Sequence, residues 1–106
     1  MAALASRSPD GVSKLAVRRL AIAFADELAA DGIRVNAIAP GLQATENAMA
    51  DLPAATVDHI VESVQLIHRI GTVEDVVAAM VYLCSAHASF VTGVTLPVTG
   101  GALLSI

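Results

Sequence analysis

The sequence is poor in aromatic residues, cationic residues and cysteine, and each shortage excludes a class of function. Aromatic side chains are 3% of the 106 residues, so the chain lacks rings on which nucleic-acid bases stack. Six Lys and Arg against ten Asp and Glu give a net charge of −4, which argues against a basic nucleic-acid-binding face. The single cysteine, Cys84, excludes an internal disulfide and is typical of a reducing compartment. We therefore expect a cytoplasmic protein with no nucleic-acid partner.

Loops that bind phosphate and clusters that bind metal are also missing. The seven glycines, at positions 11, 32, 41, 71, 93, 100 and 101, fit neither G-x-G-x-x-G nor G-x-x-x-x-G-K-[ST]. The chain therefore cannot hold a pyrophosphate with either loop. Cys84 and His87 form a lone CxxH pair, and neither His59 nor His68 has a partner at helical spacing. We expect no metal site.

Apolar residues are abundant for so short a chain. They make up 56% of the sequence, and charged residues only 15%. A small domain that stands alone needs more polar surface, so this excess indicates a piece of a larger fold or a protomer with a covered face. No charged residue follows Asp75, but the longest apolar run there, Val76 to Cys84, is far shorter than the ~20 residues of a membrane-spanning helix. We expect one partial domain, residues 1–106, and no membrane partner.

The first part of the chain predicts a helix followed directly by a buried strand. Ser8 and Pro9 suit a helix start, and Gly32 suits its left-handed C-cap. The apolar stripe of this helix comprises Val17, Leu20, Ala21, Phe24 and Leu28. Ile33 to Ala39 is typical of a strand covered on both faces, and Pro40 is expected to end it because proline cannot donate to a sheet.

The rest of the chain predicts two more helices and a second strand. Leu42 to Leu52 indicates a loop with a short helical piece around Thr45 to Met49. The second helix is expected to have Asp51 as its cap and Pro53 near its start, with an apolar face made of Val57, Ile60, Val61, Val64 and Ile67. Thr72 is expected to cap the third helix, with Asp75 in a capping-box arrangement.

Beyond that third helix, which carries apolar residues as far as Cys84, we expect a turn from Ser85 to Gly93 and a strand from Val94 to Val98. Two strands separated by a helical crossover pair in parallel, so the order helix–strand–helix–helix–strand predicts an α/β fold with two parallel strands. Ligands of such sheets bind outside the carboxyl ends of the strands, which makes the Pro40-Gly41 turn the candidate functional edge.

Six short motifs occur in a fixed order and together carry a resemblance. They are Ser13-Lys14 at a helix start, Glu27-Leu28 near its end, Gly32-Ile33-Arg34-Val35-Asn36, Pro40-Gly41-x-x-x-Thr45, Arg69-Ile70-Gly71-Thr72-x-Glu74-Asp75-Val76, and Val91-Thr92-Gly93 followed by Gly100-Gly101. This series resembles the carboxyl-terminal portion of short-chain dehydrogenase/reductases, over residues 8 to 101. The resemblance implies a partial Rossmann-like, doubly wound fold.

The resemblance also implies an NAD(P)-dependent oxidoreductase, with part of a site for NAD or NADP. Lys14 matches the family's lysine, which bonds the nicotinamide ribose and lowers the pKa of a catalytic tyrosine. Pro40, Gly41 and Leu42 match the turn along the nicotinamide. Thr45 matches the threonine that bonds its carboxamide or a phosphate.

The chain departs from the family pattern at its chemistry. Asp10 stands at the position of the catalytic tyrosine, and beside Lys14 it is expected to be ionised and to form an i,i+4 ion pair. The family's serine and its glycine-rich cofactor turn have no counterpart among these residues. Thr99 stands where the family usually has aspartate, and the only tyrosine, Tyr82, matches no catalytic position.

These departures give three expectations. As an enzyme the isolated chain is expected to be impaired and to bind a cofactor poorly. The unpaired edge of its first strand predicts a homo-oligomer, association with a full-length relative, or poor folding. The alternatives from other classes are a non-enzymatic interaction module and a truncated gene product.

Overall fold

The computed structural model describes residues 8–102, and for residues 8–12, 47 and 48 it describes the backbone alone. The elements in chain order are α1 (Ser8–Leu28), β1 (Ala37–Pro40), α2 (Glu46–Asp51), α3 (Ala54–His59), α4 (Val73–Cys84) and β2 (Thr95–Val98). β1 and β2 form a two-stranded parallel sheet, with α1 packed on β1 and α4 on both strands. The predicted partial α/β fold is confirmed. Among the described helices none is long and apolar enough to cross a membrane.

The parallel register runs from the pair Ala37 and Thr95 to the pair Pro40 and Val98. Pro40 is thus the last residue of β1, so the strand ends at Pro40 as predicted, one residue later than the predicted bound of Ala39. The N–H groups of Ala37 and Gly41 both donate toward β2, so the backbone of Pro40, an odd number of residues away, faces the other edge. A proline at that position removes no hydrogen bond between the strands.

β1 is shorter than the predicted strand, Ile33 to Ala39, because the residues before it bind the loop after α4. The Arg34 guanidinium donates to the carbonyls of Val91 (3.1 Å) and Ser85 (3.2 Å). The Asn36 amide donates to Val91 O and accepts from Val94 N. These side-chain bonds hold residues 34–36 in place of backbone pairing between strands. They thereby fix the register in which β1 begins.

α1 ends as predicted, but its large apolar residues do not form the core. A 3₁₀ turn, Ala29–Asp31, follows the helix, and Gly32 then takes a left-handed conformation (φ 72°), which confirms the cap. The buried residues of α1 are the small Ala21 and Ala25. Most of the predicted stripe lies on the surface, since Val17, Leu20 and Phe24 are 58%, 53% and 46% exposed.

The predicted short helical piece around Thr45 to Met49 is α2, and the predicted second helix is α3 together with the π turn that follows it. Asp51 is the last residue of α2 and not a cap, and α3 begins after Pro53 with no side-chain cap bond. A π turn, Ile60–Val64, extends α3, and it ends where Gln65 N donates to Ile60 O at 2.9 Å. α3 begins without a side-chain cap because the residue before it is Pro53, which is extended and carries no side-chain acceptor.

The capping box of α4 is confirmed. Thr72 Oγ1 accepts from Asp75 N (3.3 Å), and the Asp75 carboxylate accepts from Thr72 N (2.8 Å). The Arg69 guanidinium donates two hydrogen bonds, of 2.9 and 3.0 Å, to the same carboxylate. The pKa of Asp75 is therefore lowered, first by the Arg69 hydrogen bond and then by the Thr72 backbone bond. Since this pKa is lower than in an unfolded chain, the stabilisation persists at neutral pH and is lost only in strong acid.

The core of the described residues is thin. Ala21, Ala25, Leu83 and Ala88 are its buried apolar residues, and none of the large side chains described is fully buried. The radius of gyration is 15.3 Å, against about 13 Å for a compact domain of this length. The apolar excess in the sequence is thus exposed at the surface of a single chain.

We expect Thr72→Ala to lower the free energy of unfolding by about 1 kcal/mol, because it removes the hydroxyl that caps α4. Thr72→Ser keeps that hydroxyl and is expected to unfold at nearly the same urea concentration as the unmodified protein. Urea unfolding followed by circular dichroism measures both. Equal destabilisation by the two substitutions would contradict a capping role.

Candidate functional site

The candidate site is the turn at the carboxyl end of β1, residues 40–45. On one side Gly41 N donates to Val98 O (2.9 Å), which ties the turn to the end of β2. On the other side Gly71 N donates to Leu42 O (3.1 Å), and Ala44 N donates to Gly71 O (2.8 Å). The backbone of the turn is thus held from both sides before any ligand is present.

Glycine is required at position 41 by a close approach of main chain. A Cβ added there would lie 2.9 Å from Thr99 Cα, closer than side chains come to backbone in real proteins. Thr99 is buried, and its hydroxyl accepts from Gly101 N at 3.2 Å. The threonine that replaces the family's aspartate therefore packs its methyl side on Gly41 and satisfies its hydroxyl locally.

Glycine is also required at position 71 by a close approach of main chain. A Cβ at Gly71 would lie 2.8 Å from Gln43 Oε1 and 2.9 Å from Leu42 O, the atom that accepts the Gly71 hydrogen bond. Gln43 Nε2 makes only long contacts, 3.4 Å to Gly41 O and 3.5 Å to Val98 O. Its Oε1 is buried without a hydrogen-bond partner, which is an energetically unfavourable arrangement beside the site.

Thr45 closes the turn and begins α2. Its carbonyl accepts from Met49 N at 2.9 Å, so Thr45 stands at the boundary between turn and helix. Thr45 is half-buried, as are Gly41 and Leu42, whereas Pro40 is exposed. The structure thus brings four of the predicted site residues, Pro40, Gly41, Leu42 and Thr45, into one continuous segment at the sheet edge.

Lys14 lies on α1, and the connectivity predicts that it lies toward the same edge. α1 packs on β1 and is joined to it by a short turn, so the helix runs back along the strand. From Lys14 to Leu28 the helix rises about 21 Å. From Ile33 to Gly41 an extended chain covers about 26 Å. These lengths predict that Lys14, which is exposed, lies toward the same end of the sheet as the Pro40-Gly41 turn.

Asp10 occupies the same helix one turn before Lys14, a spacing at which two positions share a helix face. The side chain of Asp10 lies outside the described residues. The ion pair between Asp10 and Lys14 therefore stays a prediction, as does the cap at Ser8.

The donor set of this edge fits only one part of a dinucleotide. A lysine ammonium and a threonine hydroxyl suit the ribose and carboxamide of a nicotinamide. The described residues contain no glycine-rich loop for a pyrophosphate and no group of three His, Cys, Asp or Glu that could hold a metal ion. Lys14 and Thr45 are therefore the residues whose polar groups would hold a nicotinamide, and this role stays a prediction.

Three residues that shape the site are not predicted as site residues by the sequence. Gly71 belongs to the Arg69-Ile70-Gly71-Thr72 motif, but nothing local indicates that it pairs with residues 42–44. Gln43 and Thr99 carry no signal of their own, because their contacts depend on chain segments that are distant in sequence.

We expect Gly41→Ala to destabilise the protein by about 1–3 kcal/mol, because the new methyl group collides with main chain and not with a movable side chain. Ala44→Ser, at an exposed position of the same turn, is the matched control and is expected to leave the urea midpoint nearly unchanged. If Gly41→Ala were tolerated as well as the control, the close packing of Gly41 on Thr99 would be refuted.

Comparison with known proteins identifies the fold. The family model described as Enoyl-(Acyl carrier protein) reductase matches residues 2–102. A 3alpha-hydroxysteroid dehydrogenase of Mediterraneibacter gnavus is 43% identical over 90 residues, which are 85% of this chain and 35% of that protein. A short-chain dehydrogenase/reductase of Arabidopsis thaliana is 42% identical over 91 residues, or 86% of this chain and 35% of that protein.

Solved structures of dehydrogenases are also similar to this chain. A short-chain type dehydrogenase/reductase from Mycobacterium ulcerans is 41% identical with a TM-score of 0.78, over 89% of this chain and 34% of that one. A 4-hydroxyisoleucine dehydrogenase mutant complexed with NADH and succinate is 30% identical with a TM-score of 0.81, over 90% of this chain and 39% of that one. The chain thus spans about a third of the length of the curated relatives that it matches. It belongs to the short-chain dehydrogenase/reductase family.

Proposed function

We propose that these 106 residues form the nicotinamide side of an NAD(P) cleft and do not reduce a carbonyl compound by themselves. The observation that carries the proposal is the turn of residues 40–45, which is held from both sides at the carboxyl end of β1, the strand on which α1 packs. A preorganised turn of this kind can bind a ligand without first being ordered, which lowers the entropic cost of binding.

In this proposal each residue has a separate task. Lys14 holds the nicotinamide ribose through its ammonium group. Thr45 bonds the carboxamide through its hydroxyl. The turn Pro40-Gly41-Leu42 lies along the ring. The cofactor supplies hydride to a carbonyl carbon when bound, and NADH is bound in the related 4-hydroxyisoleucine dehydrogenase.

The missing element is a proton donor for the carbonyl oxygen. A tyrosine, whose pKa in water is ~10, is protonated at neutral pH, and a neighbouring lysine lowers that value toward the working range. A carboxyl group of aspartate, whose pKa in water is ~3.9, is protonated in only about one molecule in a thousand at pH 7. In this proposal Asp10 therefore has no proton to give.

The probe that matches this site is reduced nicotinamide mononucleotide, which carries only the nicotinamide end. We expect it to shift the amide NMR signals of residues 42–45 and to bind about tenfold more weakly to Lys14→Met, which removes a charge-assisted hydrogen bond. Arg19→Met, on the same helix, is the control. With a carbonyl compound present, the absorbance of the reduced nicotinamide is expected to stay constant.

Two results would contradict the proposal. Signal changes elsewhere than residues 42–45 would show that the turn is not the binding edge. Carbonyl-dependent oxidation of the reduced nicotinamide by the pure protein would refute the claim that the chain lacks a proton donor.

A second function, association with another copy of this chain, is favoured by the exposed apolar face of α1. The accessible surface is 7293 Å², against about 5,500 Å² for a folded monomer of this mass. Val17, Leu20 and Phe24 form an exposed apolar stripe on α1 that borders the buried Ala21 and Ala25. Two such helices can cover each other across a two-fold axis, and a standard interface buries about 800 Å² of each partner.

We expect the protein to sediment as a dimer or a larger oligomer. Leu20→Gln combined with Phe24→Gln is expected to shift it toward monomer, because the two substitutions place amides in the covered face. Arg19→Gln is the control on the same helix. A monodisperse monomer that unfolds cooperatively would contradict self-association. Binding to a full-length family member without self-association would identify that relative as the partner.

A further inference from the structure

The residues behind the turn form a second layer of contacts that the proposed cofactor chemistry does not use. Gly71 pairs with the turn as an isolated parallel bridge to Gln43, through the bonds from Gly71 N to Leu42 O and from Ala44 N to Gly71 O. These two bonds are the link between the turn and the segment that precedes α4. The position of the turn therefore depends on where Gly71 is held.

Gly71 lies inside a small closed loop. Arg69, two residues before it, donates two hydrogen bonds to the Asp75 carboxylate, four residues after it. The same carboxylate accepts from both the backbone N–H and the hydroxyl of Thr72, at 2.8 and 3.1 Å. Arg69 also donates to Ile70 O at 3.1 Å. The side chains on either side of Gly71 thus fix the backbone between them.

The loop is anchored in turn by a buried amide. Gln65 is only 5% exposed, and its Nε2 donates to the carbonyls of Ile67 (2.9 Å) and Arg69 (2.8 Å). The N–H groups of Leu66 and Ile67 both donate to Gly100 O, beyond the end of β2. Arg69 is therefore held through its main chain as well as through its guanidinium group.

We propose that Arg69 and Asp75 are positioning residues that set Gly71 in register with Leu42 and Ala44 and so fix the turn that leads to Thr45. The importance of this positioning for cofactor binding rests on the proposed function above, whereas the positioning of Gly71 by Arg69 and Asp75 does not. We call the pair of Arg69 and Asp75 the Gly71 clamp.

An ordinary surface ion pair is the alternative explanation. Arg69 has a side chain that is 57% exposed, and exposed ion pairs contribute little to global stability. The two explanations differ in where an effect appears. A surface pair changes either nothing or the whole molecule, whereas the Gly71 clamp affects the amides of Gly71 and Ala44 and spares those bonded to β2.

The test is amide hydrogen exchange of the 106-residue protein, measured by NMR. Arg69→Lys keeps the positive charge but loses the two-pronged geometry, and Asp75→Asn keeps a cap acceptor but loses the negative charge. In both variants we expect the amides of Ala44 and Gly71 to exchange about tenfold faster. The amides of Gly41 and Ala37, which donate to β2, are expected to keep their rates.

Two further variants separate positioning from a general structural role. Asp75→Glu retains a carboxylate at the third helical position, where glutamate also closes a capping box, and it is expected to retain slow exchange at Ala44. Arg19→Lys, on α1, is the matched control for the arginine substitution and is expected to change no amide in residues 41–71.

Three outcomes would count against the Gly71 clamp. Equal acceleration at Gly41 and Ala44 would show a global loss of stability, and unchanged exchange at Ala44 would show a surface pair without a positioning role. Absence of slow exchange at both amides in the unmodified protein would show that the bonds on which the proposal rests do not form. A protein with the expected exchange pattern but no response to reduced nicotinamide mononucleotide would retain the clamp and refute only the proposed function.

Discussion

The structure depends on two sets of backbone hydrogen bonds that hold one turn. The bond from Gly41 to Val98 continues the parallel pairing of β1 and β2 past the last strand residue, and the pair of bonds to Gly71 fixes the far side of the turn. Both sets require a glycine, because a Cβ at position 41 or 71 would meet main chain at 2.9 Å. The close packing of backbone on backbone therefore leaves no room for a side chain at either position of the turn's hydrogen-bonded pairs.

The features that the sequence predicts well are those whose partners are close in sequence. The left-handed Gly32 needs only the helix before it, and the capping box joins Thr72 to a residue three positions away. Spacing also places the Pro40-Gly41 turn at the carboxyl end of β1, whereas the cofactor roles of Lys14 and Thr45 stay a prediction. The parallel pairing of the strands also follows, because a helical crossover between two strands leaves few other arrangements.

The features that the sequence does not predict depend on partners that are distant along the chain. β1 is short because Arg34 and Asn36 bind carbonyls that lie more than 50 residues away. The π turn that ends at Gln65 brings a polar side chain into a buried position, where it bonds the carbonyls of Ile67 and Arg69. Periodicity gives an apolar face for this stretch but no reason for the extra residue in the turn. The sequence shows that the stripe on α1 is apolar, but whether the stripe packs in the core is a property of the tertiary fold.

Chemistry and packing then lead to the same conclusion about what this chain can do alone. Hydride transfer to a carbonyl needs a proton for the oxygen, and at neutral pH a carboxylate at position 10 offers none. In the proposed assignment Lys14 would act in such a reaction by lowering the pKa of a phenol, and position 10 carries an aspartate instead. The same helix carries exposed valine, leucine and phenylalanine beside its buried alanines. We therefore propose for α1 the holding of a ligand and the covering of another apolar surface, and not the delivery of a proton.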